Sequence, residues 1–172
     1  MVEVKNHDSL GDSLKKFNEK EHIEGYFCEK CNKKCKIGKR TYLSDLPEVV
    51  VLNLQRIIFD PTKGEKVKVH TRLTFPHLLN FQEYMKDSKG NSYDYRLKGV
   101  VIHTGTSEGG HYYSIIRRGD GQWFKFNDQT VVPFDEKEIE RECFGGLEKD
   151  DDWGPVQYST NAYILFYEKM GI

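Results

Sequence analysis

The stretch EGGHYYSIIRRGDGQWFKFND, residues 108–128, holds the side chains best suited to chemistry. His111 follows Gly109 and Gly110 and opens a strand-like run; Gly119-Asp120-Gly121 then turns the chain, which returns through aromatic residues to Asn127 and Asp128. A hairpin closed by that turn brings Asn127 and Asp128 back toward His111, where either side chain can accept from an imidazole N–H. An imidazole held in this way is a general base with its orienter, two parts of a nucleophile–base–orienter triad. A lone histidine on a strand is more often structural, but Gly109 and Gly110 give a ligand chain room to approach the backbone closely.

A triad also needs a nucleophile, and the four cysteines are poorly suited to that role. Cys28, Cys31 and Cys35 cluster in the basic run CEKCNKKCKIGKR, residues 28–40. Cys28 and Cys31 have the spacing of half a tetrahedral zinc site, which is incomplete unless Cys35 or His22 joins them. Without metal, the same residues form a reduced turn. No helix start follows a buried strand here, so the pair does not have a redox-active CxxC setting. Cys143 follows a short helical pattern and reads as a small packed hydrophobe. The cluster has no interleaved aromatic platform, and the net charge is −1, so no nucleic-acid partner is expected.

The elements that must position these groups are mostly strands. HDSLGDSLKKFNEKEHI places Leu10, Leu14 and Phe17 at helical spacing, with Asp8 or Ser9 as cap. TYLSDLPEVVVLNLQRIIF predicts two strands around Leu46-Pro47, the second presenting Val50, Leu52 and Leu54 on one face. DPTKG is a turn into an extended EKVKVHTRLTF, and residues 86–92 bound an irregular section with Pro76. YDYRLKGVVIH, HYYSIIRR and QWFKFND are predicted antiparallel neighbours; DEKEIERECF is a short helix, and NAYILFYE is a central strand, apolar on both faces. These elements make one β-rich α+β domain, and 172 residues suffice for its core. No apolar run approaches the roughly 20 residues of a membrane span, so no membrane partner is expected. The cysteine usage and the polar N-terminus fit a reducing cytosolic or nuclear compartment.

GVVIHTGTSEGGHYYSIIRR followed by WFKFND closely resembles the histidine box of the ubiquitin-specific proteases, the papain-like cysteine deubiquitinases. GYFCEKCNKKCKIGKRTYLSDLPEVVVLNLQRI resembles their finger knuckle and following palm strand, and NAYILFYEKM their last core strand. With RECFGG, these segments are most similar to the very large multidomain members. The resemblance implies a papain-like α+β fold: about residues 1–45 supply part of the fingers, with an N-terminal helix and the CxxC knuckle, and about residues 46–172 an antiparallel palm sheet. His111 would be the general base and Asn127 its orienter, with Asp128 as the alternative, while Gly109 and Gly110 would flank the channel for ubiquitin's C-terminal tail. Catalysis would require no cofactor, and Cys28 and Cys31 would belong to a structural zinc site in the complete domain. The family's cysteine box, an Asn-x-Gly-Asn-Thr-Cys-like segment of the N-terminal thumb, does not occur in the 172 residues. The expected protein is therefore a thiol-dependent deubiquitinase that acts on ubiquitin and ubiquitinated proteins. Its nucleophile would come from an N-terminal half, without which the chain is inactive. The alternative is a non-catalytic ubiquitin-binding or scaffolding module on the same fold.

Overall fold

The computed structural model describes residues 1–87, 92–150, 154–157 and 159–171. The chain runs through β1 (Val2–Glu3), α1 (Leu10–Asn18), β2 (Glu21–Cys28), β3 (Lys33–Lys39), β4 (Val49–Gln55), β5 (Ile57–Asp60), β6 (Glu65–Lys68) and β7 (Leu78–Asn80). It continues through β8 (Asp94–Gly105), β9 (Gly110–Arg117), β10 (Trp123–Asn127), β11 (Thr130–Phe134), α2 (Ile139–Cys143), β12 (Leu147–Asp150), β13 (Gly154–Gln157) and β14 (Thr160–Lys169). One eight-stranded sheet has the order β1-β4-β14-β8-β9-β10-β11, with β7 also paired to β8. Apart from the parallel β1–β4 pair, its strands run antiparallel.

NAYILFYE is central, as its two apolar faces require: β14 lies between β4 and β8. One face of the sheet buries Val100, Ile102, Ile115, Leu165 and Tyr167 in a core shared with Leu10, Leu14, Ile139 and Cys143 of the helices. At roughly 25 cal/mol per Å² of apolar area removed from water, this core is the main stabilising term. The opposite face leaves Val51 and Ile116 exposed. No helix among the described residues is long and apolar enough to cross a membrane.

Four local expectations change. The N-terminal helix stops at Asn18, where β2 takes over the chain after a two-residue break, and its buried stripe is Leu10, Ser13, Leu14 and Asn18. Phe17 stays exposed. Ser9 is the cap, accepting from the Asp12 N–H at 3.1 Å. TYLSDL forms no strand: Leu43 makes an isolated bridge to Met85, bonding the backbone of Tyr84 and Lys86. The long strand after Pro47 divides at Arg56 into β4 and β5. EKVKVHTRLTF is a strand only over Glu65–Lys68. Of the irregular section, residues 88–91 lie outside the described residues.

Candidate functional site

β8, β9, β10 and β11 form a meander, and its turns place the site. Gly105 pairs with Gly110 across the first turn. Phe126 pairs with Ser114 between β9 and β10, so alternation leaves Asn127 on the face that carries Tyr113 and His111. His111 Nε2 lies 2.5 Å from Asn127 Oδ1. Asp128 Oδ2 is farther, at 3.8 Å, on a side chain 78% exposed. Sequence reading missed β11, which makes Asp128 the first residue of a tight turn, with φ 51°. That backbone turn directs the two adjacent side chains differently.

An amide oxygen only accepts, so Nε2 is the donor in the His111–Asn127 bond. In the neutral imidazole the lone pair then lies on Nδ1. The ring can take a proton at Nδ1 while Asn127 holds it from behind.

A second group escaped the sequence reading. The Tyr113 ring lies 6.4 Å from the His111 ring, tilted by 22°. Tyr113 Oη donates to Glu142 Oε1 of α2 at 2.7 Å, and Lys125 Nζ bonds the same oxygen while lying 4.3 Å from the Tyr113 ring centre. Burial raises the Glu142 carboxyl, but the hydrogen bonds from Lys125 and Tyr113 outweigh it and hold the group below the usual carboxylate range. Burial, then the Glu142 bond, pushes the Tyr113 hydroxyl upward. The usable signal was spacing: Tyr113 stands two residues beyond His111, on the same strand face.

Gly109 and Gly110 do different jobs in the turn before His111. A side chain at Gly110 would overlap the Thr104 carbonyl and lie 2.5 Å from His103 Nε2, whereas one at Gly109 meets nothing within 4 Å. Gly110→Ala is expected to destabilise the fold by about 1–3 kcal/mol, the usual cost of forcing atoms into filled space. Gly109→Ala is expected to stay within about 0.5 kcal/mol. Thermal unfolding of the two variants checks this, and equal losses would contradict it.

Cys28, Cys31 and Cys35 come together at the tip of the β2–β3 hairpin, with their sulfurs within 4.8 Å of one another. Cys35 completes the group; His22 does not belong to it. The Cys31 N–H and thiol and the Lys30 N–H hold the Cys28 thiol below its usual range, as suits a thiolate ligand. Burial, then the Cys28 charge, pushes Cys35 up. Three thiols this close fit a structural zinc, with a fourth ligand still to be supplied. Zinc at about 100-fold its Kd is expected to add about 2.7 kcal/mol of stability. Cys35→Ser should abolish that gain as fully as Cys28→Ser, measured by melting with and without zinc; zinc stabilisation unchanged in Cys35→Ser would remove Cys35 from the ligand set. Cys143 is fully buried, and burial pushes its thiol well up.

Residues 3–167 match the family model described as ubiquitin carboxyl-terminal hydrolase. The chain is 34% identical over 215 residues to Ubiquitin carboxyl-terminal hydrolase 9X of Mus musculus, covering 98% of this chain and 8% of that protein. It is 34% identical over 206 residues to Ubiquitin carboxyl-terminal hydrolase 24 of Homo sapiens, covering 94% of this chain and again 8% of the relative. Among solved structures, it is similar to a chain of the SAGA Ubp8/Sgf11/Sus1/Sgf73 DUB module bound to ubiquitin aldehyde. That match has a TM-score of 0.77 and 29% identity, and covers 99% of this chain and 35% of the other. The chain thus spans under a tenth of the curated relatives' length.

Proposed function

The chain belongs to the ubiquitin carboxyl-terminal hydrolase family, and we propose that it supplies the base and orienter of a thiol-dependent deubiquitinase. The observation that carries this reading is the His111–Asn127 bond, which leaves Nδ1 as the proton acceptor beside the Gly109-Gly110 turn. In this reading His111 is the general base, Asn127 its orienter, and Asp128 a minor electrostatic neighbour. Gly109, where added atoms would meet open space, and Gly110 flank the path of ubiquitin's C-terminal Gly-Gly tail.

The nucleophile comes from a segment outside residues 1–172. Cys143 is buried and the other three cysteines sit on the finger hairpin, so the chain alone is inactive. His111 Nδ1 takes the proton of that thiol, and the thiolate attacks the carbonyl carbon of ubiquitin's last glycine. The tetrahedral oxyanion collapses, the C–N bond breaks, and the imidazolium protonates the departing lysine amine. His111 next deprotonates a water that attacks the thioester, releasing the carboxylate and, with the returned proton, the thiol. No step requires a metal: zinc held by Cys28, Cys31 and Cys35 would stiffen the finger hairpin only. The proposed finger portion covers about residues 1–45 and the palm about 46–172; β2–β3 forms a sheet of its own, while β1 and α1 pack with the palm sheet and its core. The partners are ubiquitin, its conjugates and the nucleophile-bearing half of the domain.

The test is turnover of a ubiquitin–lysine isopeptide conjugate by the complete domain and by the 172-residue chain. Release by the complete domain only is expected; no release by a folded complete domain would sink the proposal. The non-catalytic module remains the second reading because Cys143, the one cysteine beyond residue 35, is buried. It requires ubiquitin binding without any turnover.

A further inference from the structure

Lys68, at the end of β6, is a buried cation that the reaction above does not use. It is 8% exposed. Its Nζ donates to His103 Nδ1 at 2.9 Å, the His103 carbonyl at 3.0 Å and the Ser159 carbonyl at 2.5 Å. An ammonium has three N–H groups, and these acceptors use all of them. The Ser159 carbonyl also accepts from the Gly105 N–H at 3.4 Å. One side chain therefore ties the end of β8 to the residue that leads into β14.

The effect reaches the turn through the His103 ring. An ammonium cannot accept, so Nδ1 does, and in the neutral ring the proton sits on Nε2. Nε2 is the atom that lies 2.5 Å from where a Gly110 side chain would begin. Tyr112 and Tyr163 flank the ring at centroid distances of 4.5 and 5.0 Å, so it has little freedom to swing. Gly110 rests on this ring, and His111 follows it with its side chain on the opposite face.

We propose that Lys68, acting through His103, is a positioning residue that sets the β8–β9 turn and hence the placement of Gly110 and His111. An apolar residue could fill the volume without the desolvation of a buried ammonium, which pulls Lys68 down to about 8. What an apolar residue cannot do is fix the tilt of an imidazole by its Nδ1.

The inference rests on the reading of His111 as the base, so His111→Ala serves as control. Kinetics and melting are measured on the complete catalytic domain with a ubiquitin C-terminal amide substrate. Lys68→Met is expected to lower kcat about tenfold or more at saturating substrate, since displacements near 1 Å at a reacting group have effects of this size. Lys68→Arg, which keeps charge and donors, should recover most of it. If Lys68→Met does not fold, His103→Asn decides. Asn keeps an acceptor for the ammonium but removes the ring beneath Gly110, and the same loss of kcat is expected with melting within a few degrees of the parent. Parental kcat and KM in a folded Lys68→Met or His103→Asn, with His111→Ala inactive, overturn the positioning role and leave the base assignment standing. Full activity in His111→Ala overturns both.

Discussion

In the complete catalytic domain, His111→Ala is expected to lower kcat/KM by about 10²- to 10⁴-fold, the range that proton transfer by a positioned base supplies. The effect should fall on kcat, because a base in the proposed role acts in the transition state and contributes little to holding ubiquitin. Asn127→Ala should lose about 10²-fold, since the imidazole keeps its place but not its tautomer or tilt. Asp128→Ala should lose less than about fivefold. Its carboxylate is 3.8 Å from Nε2 and 78% exposed, and exposed pairs are worth about 0–1 kcal/mol. The contrast between neighbouring residues is the informative part: equal losses at Asn127 and Asp128 would show that the 2.5 Å bond is not what orients the ring.

The largest effect on stability is expected at Arg56, between β4 and β5. Its side chain is fully buried and donates to four backbone carbonyls: Ala162 at 3.3 Å, Val69 at 3.2 Å, Thr71 at 2.6 Å and Phe144 at 3.2 Å. These belong to the central strand, to the segment after β6 and to the end of α2, so one guanidinium joins three parts of the molecule. Burial pulls its pKa down to about 10, which still leaves it charged at neutral pH. Arg56→Ala leaves a cavity and takes a donor from four buried carbonyls, of which that of Phe144 keeps only the Leu73 N–H, a loss of about 3–5 kcal/mol or more. For a chain of this length that is a fall in Tm of about 10 °C or more. Arg56→Lys should recover only part of it, because three N–H groups cannot serve four acceptors. A melting temperature unchanged in Arg56→Ala would refute this role.

Arg56 also shows where the sequence stops being legible. The alternation VVVLNLQ identifies β4 and its buried face, because burying one face of a sheet imposes a period of two. Nothing in that period says that the next residue turns inward to collect carbonyls from residues as far away as Ala162. The same limit applies to TYLSDL, which has strand-like composition but finds only one bridge, to Met85. Strand pairing depends on a partner, and local propensity does not supply one. Phe17 keeps helical spacing yet stays exposed, while Ser13 is buried because its hydroxyl reaches the Glu3 carbonyl at 2.6 Å.

The geometry of the candidate site was more legible than its support. The glycine turns around β8, β9 and β10 are local signals, and they bring His111 and Asn127 to one face. The relative distances of Asn127 and Asp128 depend on β11, whose residues TVVPF lack an alternating pattern and are mostly exposed. The Tyr113–Glu142–Lys125 group joins β9, α2 and β10, and the Lys68–His103 contact joins β6 to β8. Contacts of this kind depend on tertiary placement, which residue spacing does not encode.

The central claim is that residues 1–172 hold the base while the reacting thiol lies elsewhere. Ubiquitin carrying a C-terminal electrophile, incubated with the 172-residue chain and with the complete domain, followed by mass spectrometry of the labelled peptides, tests it most directly. The expected result is an unlabelled chain and a complete domain labelled at one cysteine outside these residues. Labelling of Cys28, Cys31, Cys35 or Cys143 would contradict it.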